Sequence, residues 1–110
     1  MLNSNESYNE AEKIVIWSKA KICLGANAAQ WRKDRYGAWI CYSQYGNTAS
    51  PYGWEIDHIF PSSMGGSDDY SNLQPLQWEN NRAKADNFPR ETFPISPREK
   101  AVPRLMNLHS

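Results

Sequence analysis

The chain has 110 residues, with twelve Lys and Arg against twelve Asp and Glu, so its formal net charge is zero. That length holds one small domain at most, and five Trp, six Tyr and three Phe give it the large apolar surfaces of a modest core. No apolar run is long enough to span a bilayer, the start Met1-Leu2-Asn3-Ser4-Asn5-Glu6 is polar and acidic, and two cysteines without a CxxC spacing support neither a disulfide framework nor a cysteine zinc site. The expectation is a cytoplasmic protein with reduced thiols.

In chain order, residues 6–24 read as an amphipathic helix. Tyr8, Ala11, Val15 and Ile22 recur near a 3.6 period, with Ile14 and Trp17 widening the stripe. Asn5 or Ser4 suits its N-cap, Glu6 and Glu10 its first turn, and Gly25 its C′ position. A further short helix is expected over 28–34, stopped near Gly37, followed by a strand over 38–42 and a turn at Tyr45-Gly46-Asn47. The loop 50–53 leads into a strand over 54–59. Gly65-Gly66-Ser67-Asp68-Asp69 marks a turn before a second strand over 72–77, which Pro75 demotes to an edge or irregular strand. A helix over 78–86 completes a β-β-α unit. Beyond it, Pro89, Pro94, Pro97 and Pro103 break any regular pattern, giving a tail or extended arm that also carries His109. The expected organisation is an N-terminal helical segment over 1–37 packed on a core over 38–86, then the Pro-rich tail over 87–110.

The zero net charge hides an uneven distribution. Residues 13–40 carry six bases (Lys13, Lys19, Lys21, Arg32, Lys33, Arg35) against Asp34 alone, residues 41–80 carry five acids and no Lys or Arg, and residues 81–110 carry six bases against three acids. A metal ion can neutralise part of an acidic middle, and basic flanks can track a phosphate backbone on either side.

The chemistry-bearing residues lie in that middle. Trp54-Glu55-Ile56-Asp57-His58-Ile59-Phe60-Pro61 ends an apolar run in an Asp-His pair. After Gly65-Gly66 comes Asn72-Leu73-Gln74-Pro75-Leu76, then Asn81-Arg82 with Lys84 and Asp86 following. Over residues 54–86 this pattern resembles the HNH endonucleases in the variant whose last His is an Asn, and its spacing is similar to that of HNH domains inside RNA-guided nucleases. The lead-in from Arg32-Lys33-Asp34 to Tyr45-Gly46-Asn47 more loosely resembles short stand-alone bacterial and phage HNH proteins. The resemblance implies an α+β chain built on a ββα-metal core. It implies His58 as general base, one divalent metal on Asp57 and Asn81, and Asn72 as the residue that holds the loop and His58 in position. It further implies DNA as substrate, nicked one strand at a time, in settings such as phage packaging, restriction or defence. No major-groove recognition helix is evident outside the motif, so targeting is expected from a protein partner or from the flanks.

Many HNH domains carry two CxxC knuckles around a structural zinc. Here those positions read Cys41-Tyr42-Ser43-Gln44 and Gln77-Trp78-Glu79-Asn80, and one cysteine cannot hold a tetrahedral thiolate site. No structural zinc is therefore expected, and Trp39, Trp54 and Trp78 are the candidates for its structural role. A carboxylate and a carboxamide favour a hard ion that keeps its waters, Mg²⁺ or Mn²⁺. A neutral imidazole can take the proton from water, because imidazole titrates near the working pH. On a regular strand Asp57 and His58 point to opposite faces. Lys84 lies three residues after Asn81 and is a candidate phosphate contact, as are Arg82, Arg35 and Lys33. Glu55 shares a strand face with Asp57 but is assigned a structural or solvent role. The alternative of another class is a non-catalytic ββα-metal scaffold that binds DNA or a protein partner.

Overall fold

A computed structural model describes residues 8–90. It contains, in order, α1 (Glu10–Trp17), β1 (Trp31–Lys33), β2 (Trp39–Cys41), β3 (Trp54–His58), β4 (Leu73–Gln77) and α2 (Trp78–Asn87). The architecture is α+β. Its strands form two antiparallel pairs, β1 with β2 and β3 with β4. In the second pair Trp54 faces Gln77, Ile56 faces Pro75 and His58 faces Leu73. Pro75 is tolerated because a two-stranded sheet has only edge strands. The expected tail and His109 lie outside the described residues from 91 onward.

The hairpin β3–β4 has two unlike faces. Trp54, Ile56 and Leu73 pack with Ile16, Trp17, Ala20 and Ile40 into the main core. The rings of Trp17, Tyr42 and Tyr45 surround Trp54, with centroids 4.9 to 5.8 Å away. Alternation turns Glu55 and Asp57 away from that core, and α2 lies against both strands of the hairpin. This helix has no apolar stripe; its buried residues are Asn80 and Lys84. A helix docked through polar groups must satisfy each of them, and doing so is what builds the site.

Two helical expectations are corrected. Helix α1 covers only part of 6–24: it begins at a capping box between Asn9 and Glu12, not at Ser4 or Asn5, and ends at Ser18 rather than near Gly25. Beyond it the chain is held by sheet-like contacts. Lys21 exchanges backbone hydrogen bonds with Lys33 (2.8 and 3.0 Å), and the Arg32 guanidinium donates to the carbonyls of Ser18 and Ala20 (3.1 and 3.4 Å). The buried residues of this region are Ile16, Trp17 and Ala20, whereas Ile14, Val15 and Ile22 are exposed. The second helix, expected over 28–34, is a single turn at Asn27–Trp31 followed by strand β1. There Trp31 is buried with Trp39 and Cys41.

Asp34 fastens the β1–β2 hairpin to the start of α2. One carboxylate oxygen accepts from the backbone N–H groups of Tyr36 and Ala38 (both 2.9 Å). The other accepts from the Gln77 N–H and the Asn80 side-chain amide (both 3.0 Å). Burial holds this carboxyl above the usual carboxylate range, with the four hydrogen bonds opposing it only in part. At the positions of the missing knuckles, Gln77 is fully buried, accepts from the Asn80 N–H and donates to Pro51 and Glu79. Trp39 and Trp54 are core residues. Trp78 is half-buried, with its ring N–H on the Ser50 carbonyl at 2.8 Å.

Candidate active site

A cleft of about 400 Å³ opens between the end of β3, the turn after it and α2. Glu55, Asp57, His58, Asn81, Arg82 and Lys84 line it, with Ser62 and Ser63 from the turn. Asp57 and His58 thus reach one cleft although they are neighbours on a strand. His58 is the last residue of β3, where the pairing with β4 ends. The turn beyond it is closed by Asn72. The Asn72 amide oxygen accepts from the Phe60 N–H (2.9 Å), and its nitrogen donates to the carbonyls of Phe60 (3.1 Å) and Ser67 (2.8 Å). Asn72 therefore braces the loop that follows His58 and is not part of the cleft lining. Gly65 turns that loop at φ +94°, and a Cβ on Gly66 would lie 1.8 Å from the Phe60 carbonyl oxygen, so the chain closes tightly only with glycine there.

The two adjacent asparagines of α2 separate. Asn80 is buried on Asp34, while Asn81 lines the cleft and donates its amide N–H to Glu55 Oε1 at 2.8 Å. Arg82 approaches the other Glu55 oxygen at 3.3 Å and stacks over Trp78. Lys84, read from sequence as a candidate phosphate contact, is turned inward with 4% side-chain exposure. Its ammonium lies 3.0 Å from Asp57 Oδ2 and donates to the His58 carbonyl at 2.9 Å. Gln74 donates to the same Asp57 oxygen at 2.9 Å. The remaining two expected phosphate contacts lie elsewhere. Lys33 sits over the Trp39 ring, and Arg35 lines a second groove of about 300 Å³ with Lys19, Lys21, Ile59 and Gln74.

Sequence reading missed Asp68. Its carboxylate, on the exposed loop after Gly66, lies 2.7 Å from His58 Nε2. No spacing rule marks an acid in a turn as a histidine partner. Glu55, read from sequence as a structural or solvent residue on the Asp57 face, is nearly buried and lines the cleft.

The donor set is compatible with a hard divalent cation. Asp57 uses Oδ2 for its protein partners and Asn81 uses its amide nitrogen, which leaves Asp57 Oδ1 and the Asn81 amide oxygen outside these bonds. Two such oxygens in an open cleft suit an ion that retains waters. Among the described residues, no group of three or more His, Cys, Asp or Glu side chains is placed to hold a metal.

Residues 49–90 match the model of a family described as HNH endonuclease, and this segment is assigned to the HNH family. The match runs from the loop before β3 through α2 and leaves α1, β1 and β2 outside it. Neither the curated proteins nor the solved structures contain a match to the chain. No helix among the described residues is long and apolar enough to cross a membrane.

Proposed function

We propose that the chain is a metal-dependent HNH endonuclease that hydrolyses DNA phosphodiester bonds, leaving 5′-phosphate and 3′-hydroxyl ends. The observation that carries this reading is the convergence of Asp57, His58 and Asn81 on one cleft from two elements, beside an interior Asn80 that has a structural task of its own.

Asp57 and Asn81 hold one divalent ion, Mg²⁺ or Mn²⁺, through their oxygens. When bound, that ion supplies positive charge to the phosphoryl and leaving oxygens. His58 takes the proton from the attacking water. An ionised Asp68 can only accept a hydrogen bond, so the proton shared with it resides on Nε2, and Nδ1 is left with the lone pair that acts as base. Asn72 keeps the loop closed so that the imidazole stays at the cleft. Lys84 holds the His58 carbonyl and compensates the Asp57 charge from the protein side, and Arg82, at the exposed edge of the cleft, faces the incoming phosphates. Lys33 and Arg35 serve the flanking backbone.

Supercoiled plasmid incubated with the protein and Mg²⁺ or Mn²⁺ tests the reading. Nicking is expected, lost on chelation and on Asp57→Ala, and reduced about 10²–10⁴-fold by His58→Ala. Folded protein that binds DNA or a protein partner without cutting under either metal would replace the nuclease with the non-catalytic scaffold.

A further inference from the structure

Of the two carboxylates that line the cleft, only Asp57 has a part in the proposed chemistry. The other, Glu55, is 4% exposed, so its charge is satisfied by protein and not by water. We propose that Glu55 is a positioning residue: it holds the Asn81 carboxamide in the one orientation that offers oxygen, rather than nitrogen, to the divalent ion. This inference rests on the metal reading above.

A carboxamide can turn end for end with almost no change of shape, but only its oxygen has lone pairs for a cation. Nothing in Asn81 itself selects that orientation. Glu55 does, because an ionised carboxylate only accepts. With the Asn81 nitrogen donating to Oε1 at 2.8 Å, the amide oxygen is directed away from Glu55; the flipped amide would set two acceptor oxygens against each other. The second Glu55 oxygen, Oε2, is met by the Arg82 guanidinium at 3.3 Å, so both oxygens of the carboxylate face donors from α2. With one oxygen on Asn81 and the other on Arg82, Glu55 is engaged by α2 while Asp57, two residues along the same strand face, keeps an oxygen for the ion. Residues that orient a ligand from behind typically change metal affinity about 10–100-fold.

The test is Mn²⁺ binding to the full chain without DNA, followed by the electron-paramagnetic signal of free Mn²⁺. Glu55→Met, which keeps the length and loses the acceptor, is expected to weaken binding about 10–100-fold, as is Asn81→Ala. The double variant should bind no more weakly than Asn81→Ala alone. Glu55→Gln, whose amide oxygen still accepts from Asn81, should recover most of the affinity. A second readout needs neither metal nor variant: one side-chain amide proton of Asn81 should be shifted downfield and slow to exchange in the NMR spectrum of the wild-type chain. Wild-type Mn²⁺ affinity in Glu55→Met, additive weakening in the double variant (which would make Glu55 a ligand itself), or a freely exchanging Asn81 amide each overturn the proposal. Mn²⁺ affinity indifferent to both Asp57→Ala and Asn81→Ala would remove the metal reading beneath it, whatever the Asn81 amide shows.

Discussion

Lys84 and Asp57 set a conflict at the level of single residues. The Lys84 ammonium, 4% exposed, sits 3.0 Å from a carboxylate that is itself 13% exposed and is the proposed anchor of a divalent ion. A buried pair is weak evidence of stabilisation, but removing one partner strands the other, at a cost of about 3–5 kcal/mol when both are fully enclosed. Asp57 retains some access to solvent, so Lys84→Met should cost toward the lower end of that range. The divalent ion offers the stranded carboxylate a second partner. Thermal unfolding of Lys84→Met should therefore show a low Tm without metal and a larger rise with Mg²⁺ or Mn²⁺ than the wild type shows, because binding to the folded state alone adds stability by mass action. Equal metal-induced shifts in the two proteins would separate Lys84 from the metal site. From sequence, Lys84 is only a basic residue one turn after Asn81. Its inward turn depends on Asp57 and on the carbonyl of His58, both more than two dozen residues away in the chain, and no local rule reaches that far.

At the level of elements, the β-β-α order was legible because each part carries its own signal. Trp54 and Ile56 alternate with Glu55 and Asp57, and Gly65-Gly66 closes the connection before the second strand. The first 37 residues were read less well, for a physical reason. Of the span 6–24 only Glu10–Trp17 is helix, and it buries Ile16 and Trp17 while Ile14 and Val15 of the expected stripe are exposed. After it, Lys21 and Arg32 bond to partners that a local window does not contain. Likewise Trp31 is drawn into a strand by burial against Trp39 and Cys41, overriding the helical preference of Ala28 and Ala29. Asp34 is the fastener that makes this hairpin part of the core. Asp34→Asn keeps its shape but replaces one acceptor oxygen with a donor facing N–H groups. Each buried donor left without a partner costs about 1–3 kcal/mol, and both the Gln77 N–H and the Asn80 amide depend on the same oxygen. Chemical denaturation should show a loss in that range or above it with an unchanged m-value. A loss below 0.5 kcal/mol, within the ordinary spread for surface substitutions (about ±0.5 kcal/mol), would mean the hairpin is held by its tryptophans alone.

For the molecule as a whole, a neutral chain that is to bind a polyanion must keep its charges apart. Two of the five acids of 41–80 are spent inside, Glu55 on Asn81 and Arg82 and Asp57 on Lys84 and Gln74, while Asp68 stays exposed on its loop beside His58. The one acid of 13–40 is also internal, since Asp34 is buried on backbone and Asn80. What the second groove presents outward is therefore basic, with Lys21 and Arg35 exposed on its walls and Lys19 tied by its ammonium to the carbonyls of Tyr70 and Leu73. Lys21 and Lys33 stand opposite each other in a backbone bridge, an arrangement of like charges that is unfavourable until an anion arrives. The groove adjoins the cleft: Ile59 follows His58, and Gln74, on its wall, donates to Asp57. On the proposed reading, a DNA strand with one phosphate at His58 would lay a neighbouring phosphate there. Binding of a short duplex by His58→Ala protein, measured across a salt series, should give a log–log slope that falls by about 0.9 for each of Lys21→Ala and Arg35→Ala. The loss of affinity should be nearly independent of DNA sequence, because phosphate contacts position and do not specify. A slope unchanged by both substitutions would place the flanking strand on the other side of the cleft, along Arg82 and the end of α2.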